Sequence, residues 1–171
     1  MSRSLKLGAQ AVVVAGVLAL LALLVWRVAH PQQSNLPELV RAGKNPTAPS
    51  FSLPRLDQDG RIELAALRGK AVVINFWASW CGPCLRFAPV YERASDKHAD
   101  ITFSKVDTED QVELAAKFDI RSIPTIMAIR DGVIVFAQPG ALPESALESL
   151  ISQVRELDMD EVREKLAAHQ H

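Results

Sequence analysis

Residues 71–77 read AVVINFW, a continuous apolar run centred on Val72, Val73 and Ile74. Such a run is a strand buried on both faces, and its sheet must carry helices on each side. The chain then enters Cys81-Gly82-Pro83-Cys84, which holds the only two cysteines of its 171 residues. Pro83 suits the first turn of a helix, where a missing N–H removes no bond. The pattern predicts a strand ending at Trp77 and a helix from Cys81 or Gly82 to about His98, kinked at Pro89.

Residues 101–107, ITFSKVD, form the next strand, completing a strand–helix–strand unit with a right-handed crossover. A helix over about 110–118, strand TIMAI (125–129), a turn at Asp131-Gly132 and strand VIVFA (133–137) follow. Asp-Gly between two apolar runs is a strong hairpin signal. A last helix from about Glu144 aligns Leu147, Leu150, Ile151, Val154 and Leu157 as a core stripe. Ahead of the central run, FSLPRLDQDGRIEL (51–64) reads as a β-hairpin whose polar turn ends at Gly60. These elements compose a three-layer α/β domain over 50–158 with a mixed central sheet; residues 159–171 are a helical extension and tail.

The N-terminal part has a different character. Residues 1–6 are short and basic, with Arg3 and Lys6, and residues 7–26 are apolar except for Gln10. Twenty helical residues rise about 30 Å, the thickness of a bilayer core. Residues 7–29 are therefore expected to be a transmembrane anchor. The run is longer than a secretory signal core, Arg27 follows it, and no small-x-small cleavage site is evident. The positive-inside rule puts the N-terminus in the cytoplasm and the domain outside, in a single-pass cell-membrane protein. Residues 30–49 hold four of the ten prolines and read as a tether, with one helical turn near 38–41. A formal net charge of −1 gives no electrostatic case for nucleic acid.

Two cysteines at this spacing can be a redox pair, half a metal site or a structural staple. A metal site needs more soft ligands than two, and His30, His98, His169 and His171 lie in the tether, at a helix end and in the tail. A staple across two residues restrains little chain. Redox chemistry fits the strand-to-helix junction. There the first-turn N–H groups and the helix dipole favour a thiolate on Cys81, which attacks a partner disulfide. Cys84, more buried on the same helical face, then attacks Cys81 and releases the partner.

VVINFWASWCGPC, Pro89, KVDTED, FDIRSIPTI, the Asp131-Gly132 turn and QPGAL, in order over 71–157, closely resemble thioredoxin. The lead-in over 48–70 resembles membrane-tethered, thioredoxin-like oxidoreductases acting outside the cytoplasm. The resemblance implies a thioredoxin fold, Cys81 as nucleophile and Cys84 as resolving thiol, with Gly82 and Pro83 between them. It implies an exposed Trp80 for partner contact, Trp77 supporting the loop from beneath, and a cis-proline at Pro124. The Ile123 backbone would then pair with substrate and Gly140 would complete the groove. No cofactor beyond the Cys81–Cys84 disulfide and no metal are implied.

One position departs from the family. Many thioredoxins carry a buried Asp six residues before the first cysteine, where this chain has Asn75; the accompanying lysine remains as Lys105. Tethered relatives often have Glu three residues after the second cysteine, and here that position is Phe87. An amide cannot titrate, so neither familiar carboxylate is available to take the proton of Cys84.

The expected function is a membrane-tethered thiol–disulfide oxidoreductase, mainly a reductant of protein disulfides, among them those formed by the haem-attachment thiols of apocytochromes. A transmembrane dithiol donor or thioredoxin reductase would supply its electrons, and the domain is expected to be monomeric. The rival readings are a cytoplasm-facing thioredoxin and a tethered, non-catalytic binding module or copper chaperone.

Overall fold

The computed structural model describes residues 2–29, 38, 40, 42, 44–54 and 61–168, and it divides into two compact units, 1–33 and 34–171. The turn through Gly60, most of the expected tether with His30, and the tail with His169 and His171 lie outside the described residues.

The first unit is one helix, α1 (Ser2–Ala29). Its side chains are described from 13 to 26, and every one of them is exposed. Among the described residues, no helix is long and apolar enough to cross a membrane. The transmembrane helix expected over 7–29 is therefore not shown by the fold.

The second unit is built on β3 (Ala71–Trp77), with Val72 to Phe76 all buried. It pairs in parallel with β4 (Thr102–Asp107) and antiparallel with β5 (Thr125–Arg130), which pairs antiparallel with β6 (Val133–Pro139). The strand order is β4-β3-β5-β6, a mixed sheet. A separate hairpin joins β1 (Ser52–Pro54) and β2 (Arg61–Glu63), followed by a 3-10 turn, Leu64–Leu67. Helices described within the unit include α2 (Gly82–Lys97), α3 (Val112–Lys117), α4 (Glu144–Glu156) and α5 (Met159–Ala168).

The alternation of side chains along β3 divides the core into two layers. Val72, Ile74 and Phe76 pack with Phe51 and Leu53 of the hairpin region, Leu64, Leu67, Leu114 and Phe118. Val73 faces the other way, against Phe87 and Tyr91 of α2 and Leu147, Ile151 and Val154 of α4. Asp131 and Gly132 both have positive φ (52° and 78°), as a two-residue turn between right-twisted strands requires.

Three local expectations change. Residues 46–48 are not free tether: Thr47 bridges Val133, the Ala48 N–H donates to Gly132 O, and the Ile134 N–H donates to Pro46 O. This pairing satisfies an exposed edge of β6 that would otherwise offer unpaired groups. Helix α3 is shorter than the expected 110–118, because a turn in which the Gln111 N–H donates to Asp107 O precedes it.

The stripe also outruns its helix. Helix α4 ends at Glu156, and Leu157 caps it half-buried. Arg130 Nη1 sits 2.6, 2.8 and 3.0 Å from the carbonyl oxygens of Val154, Arg155 and Leu157, meeting carbonyls that have no partner inside the helix. Arg130→Met is expected to lower stability by about 1–3 kcal/mol, measured as a fall in the urea midpoint at unchanged slope.

Candidate active site

The end of β3 delivers the redox residues. The Cys81 N–H donates to Ala78 O (3.2 Å), which makes a tight turn directly after the strand. Gly82 opens α2 and Pro83 is its second residue, so neither position removes an intrahelical bond. Cys81 is the N-cap and its Sγ accepts the Cys84 N–H at 3.2 Å. A backbone donor aimed at Sγ, added to the positive end of the helix dipole, favours negative charge on that sulfur.

Cys81 and Cys84 are joined as a disulfide, and both are buried. Cys81 is as enclosed as Cys84 (4% and 2% exposed), although it was expected to be the more accessible sulfur. Ala78, Trp77 and Ile123 pack around the pair.

The other sequence-predicted residues fall into two groups. The first surrounds the disulfide. Ile123 packs against it, Ile123–Pro124 is a cis peptide, and the Gly140 N–H donates to Pro124 O at 2.7 Å. Gly140 has φ 97°, a conformation that a side chain would strain. Trp80 is 69% exposed beside this cluster. Trp77 is half-buried beneath it, with its carbonyl held by the Thr108 N–H at 2.9 Å.

The second group lies behind the loop. Asn75 is 2% exposed, and its Oδ1 has no hydrogen-bond partner among the described residues. In the sheet register it stands opposite Lys105 on β4 and Ile126 on β5. Lys105 Nζ instead meets Glu92 Oε1 at 2.9 Å and lies 5.4 Å from the centre of the Trp77 ring. Phe87 is buried in the α2–α4 layer.

Several neighbours of the site carry no clear sequence signal. Leu85 and Val112 are exposed apolar side chains at 52% and 62%. Val112 lines a cavity of about 460 Å3 with Trp80, Ala116, Arg121 and Ile123. Tyr91 anchors α2 from below: its hydroxyl oxygen is 2.8 Å from both Val73 O and Ser104 O and accepts the Ser104 N–H at 3.2 Å. Burial pushes this phenol well above its ordinary range, so it stays a donor. Tyr91→Phe is expected to lower stability by about 1–2 kcal/mol in urea unfolding, because its buried partners lose a bond. Among the described residues, no three His, Cys, Asp or Glu side chains group to hold a metal ion.

The thioredoxin family model matches residues 61–153 and so takes in the sheet, α2, the disulfide and the cis-proline loop. The chain belongs to the thioredoxin family. It is similar to putative thioredoxin 2 of Streptomyces coelicolor, 61% identical over 99 residues, covering 58% of this chain and 74% of that protein. It is also similar to the thioredoxin of Mycoplasmoides gallisepticum, 38% identical over 82 residues and covering 48% and 82%. The X-ray structure of Fasciola hepatica thioredoxin has 35% identity and a TM-score of 0.49, over 52% of this chain and 84% of that one.

As a thioredoxin family member the chain is a thiol–disulfide oxidoreductase, and its redox group is the disulfide rather than a bound cofactor. Neither of the carboxylates expected from the resemblance is present, since Asn75 and Phe87 occupy those positions.

Proposed function

We propose that this protein is a membrane-tethered oxidoreductase that mainly reduces protein disulfides outside the cytoplasm. The observation that carries the chemistry is the Cys81–Cys84 pair at the start of α2, with Cys81 Sγ as acceptor of a helix-terminal N–H. The Cys81 thiolate attacks one sulfur of a substrate disulfide; that S–S bond breaks, and the distal sulfur leaves as a thiolate and takes a proton from water. Cys84 then gives up its proton and attacks Cys81 Sγ. The mixed disulfide breaks, the second substrate sulfur leaves, and the Cys81–Cys84 bond forms. Two electrons have passed to the substrate, whose two sulfurs end as thiols. The disulfide form described above is the state this sequence ends in.

Outside α1, the large apolar side chains exposed among the described residues are Trp80, Leu85 and Val112. All three lie at the disulfide's helix or at the neighbouring cavity, which suits docking of a protein substrate. Ile123, Pro124 and Gly140 are proposed as the backbone rail along which the substrate extends. Protein disulfides are the proposed substrates, those formed by the haem-attachment thiols of apocytochromes among them. Electrons would come from a transmembrane dithiol protein or from thioredoxin reductase.

The tether reading is supported by the 20-residue apolar run at 7–26 and its basic flank. A cytoplasm-facing thioredoxin is the second reading, favoured because the relatives it resembles over the domain are thioredoxins. Labelling intact cells with a membrane-impermeant thiol reagent after mild reduction separates the two. Both thiols lie in one motif, so labelling before lysis is expected. Labelling only after lysis assigns the domain to the cytoplasm.

A further inference from the structure

Lys105 and Asn75 are register partners on adjacent strands, yet the Asn75 amide oxygen has no partner. The lysine is drawn elsewhere. Its Nζ bonds Glu92 Oε1 of α2 at 2.9 Å while standing 5.4 Å from the centre of the Trp77 ring. Trp77 in turn packs against Cys81, Cys84 and Ala78. A cation is thus held one aromatic side chain away from the disulfide. Trp77, Lys105 and Glu92 also line one cavity of about 630 Å3, together with Phe103 and Asp107.

We infer that Glu92 is a positioning residue of the redox centre: it holds the Lys105 ammonium over Trp77, where that charge favours the Cys81 thiolate. This rests on the reading of Cys81 as the attacking sulfur. A free lysine on a four-carbon stem samples solvent, and an exposed ion pair alone restrains it weakly. Here the pair and the ring contact fix one geometry together, and Lys105 keeps its side chain only 29% exposed. Charge held against a protein wall acts on a neighbouring sulfur more strongly than charge in bulk water. When Cys81–S⁻ attacks R–S–S–R′, the products are Cys81–S–S–R and R′–S⁻, and the latter is protonated by water. Lys105 exchanges no proton in this step; it stabilises the anion that begins it. Glu92 acts only through Lys105, because its carboxylate alone would disfavour a thiolate.

The test uses the full chain, reduced, with Cys81 alkylation by iodoacetamide followed by mass spectrometry from pH 5 to 9, and the redox equilibrium with glutathione as a second readout. Lys105→Met is expected to slow Cys81 alkylation at pH 6.5 by about three- to tenfold, and Glu92→Gln by about two- to fourfold. The double variant is expected to react no more slowly than Lys105→Met, because the unpaired Glu92 carboxylate is gone as well, and Lys105→Arg to stay within about twofold of the parent protein. Both slow variants should shift the glutathione equilibrium towards the disulfide. A Glu92→Gln protein that reacts at the parent rate or faster overturns the inference, as does a double variant slower than Lys105→Met. If Cys81 of the parent protein reacts no faster than an ordinary thiol across the range, the attacking-sulfur reading falls and this inference with it.

Discussion

Cys84→Ser is expected to leave the protein covalently bound to its substrates through Cys81, with multiple turnover falling about a thousandfold or more. The first exchange needs only the Cys81 thiolate and the N-terminal turn of α2, both of which survive the change. The second needs a sulfur at position 84, within bonding reach of Cys81 Sγ, and serine cannot supply it. A non-reducing gel should show the mixed disulfide, and added dithiol should release it. The fold should tolerate the change, since the Cys84 N–H that meets Cys81 Sγ belongs to the backbone. Recovery of only non-covalent partners, or of bound copper, would instead favour a tethered binding module.

Asn75→Asp is expected to produce two opposed effects from one buried atom. Position 75 is 2% exposed and the existing amide oxygen has no partner, so a carboxylate there meets little to solvate it. Burial raises its folded pKa above the unfolded value of about 3.9. Below about pH 3 both states are protonated and the variant carries no ionisation penalty. As pH rises, the unfolded state loses its proton first, and stability falls until the folded carboxyl also ionises. The loss is about 1.4 kcal/mol for each unit of the shift, so about 2–4 kcal/mol separates pH 4 from pH 8 in urea unfolding.

The same carboxylate gives Cys84 a proton acceptor. Resolution of the mixed disulfide should accelerate by about tenfold or more near neutral pH. Stopped-flow fluorescence of Trp77 and Trp80 during turnover of a model disulfide reads that step. A resolution rate equal to the parent's from pH 6 to 9 removes position 75 from proton transfer.

What is legible from the chain is what neighbouring residues decide. Strand Ala71–Trp77 announces itself because both its faces are buried, so apolar residues succeed one another without alternation. The start of α2 is fixed within four residues, by Pro83 and by Cys81 as the cap. The Asp131-Gly132 turn is decided by the backbone conformations those two residues tolerate.

Contacts set by distant partners are not legible in this way. Residues 46–48 look like tether because proline and polar residues dominate them, and only the edge of β6, over 80 residues on, shows them to be paired. The stripe of α4 continues in sequence to Leu157, but Arg130 from another strand gathers the carbonyls where the helix stops. At the site, the cysteines are a local motif. The cis peptide before Pro124 and the groove glycine came from resemblance rather than pattern. The grip of Glu92 on Lys105 joins a helix to an edge strand, and no spacing rule connects them.

Cys81 and Cys84 are expected to exchange two electrons with a substrate disulfide. Mass spectrometry of the fully reduced protein, mixed with one equivalent of a disulfide-bonded model protein and quenched with an alkylating reagent, tests it most directly. For every substrate disulfide opened, one protein molecule should lose both alkylation sites and be two hydrogens lighter, with Cys81–Cys84 as the only new bond. Substrate thiols appearing while Cys81 and Cys84 remain fully alkylated would rule out exchange through this pair.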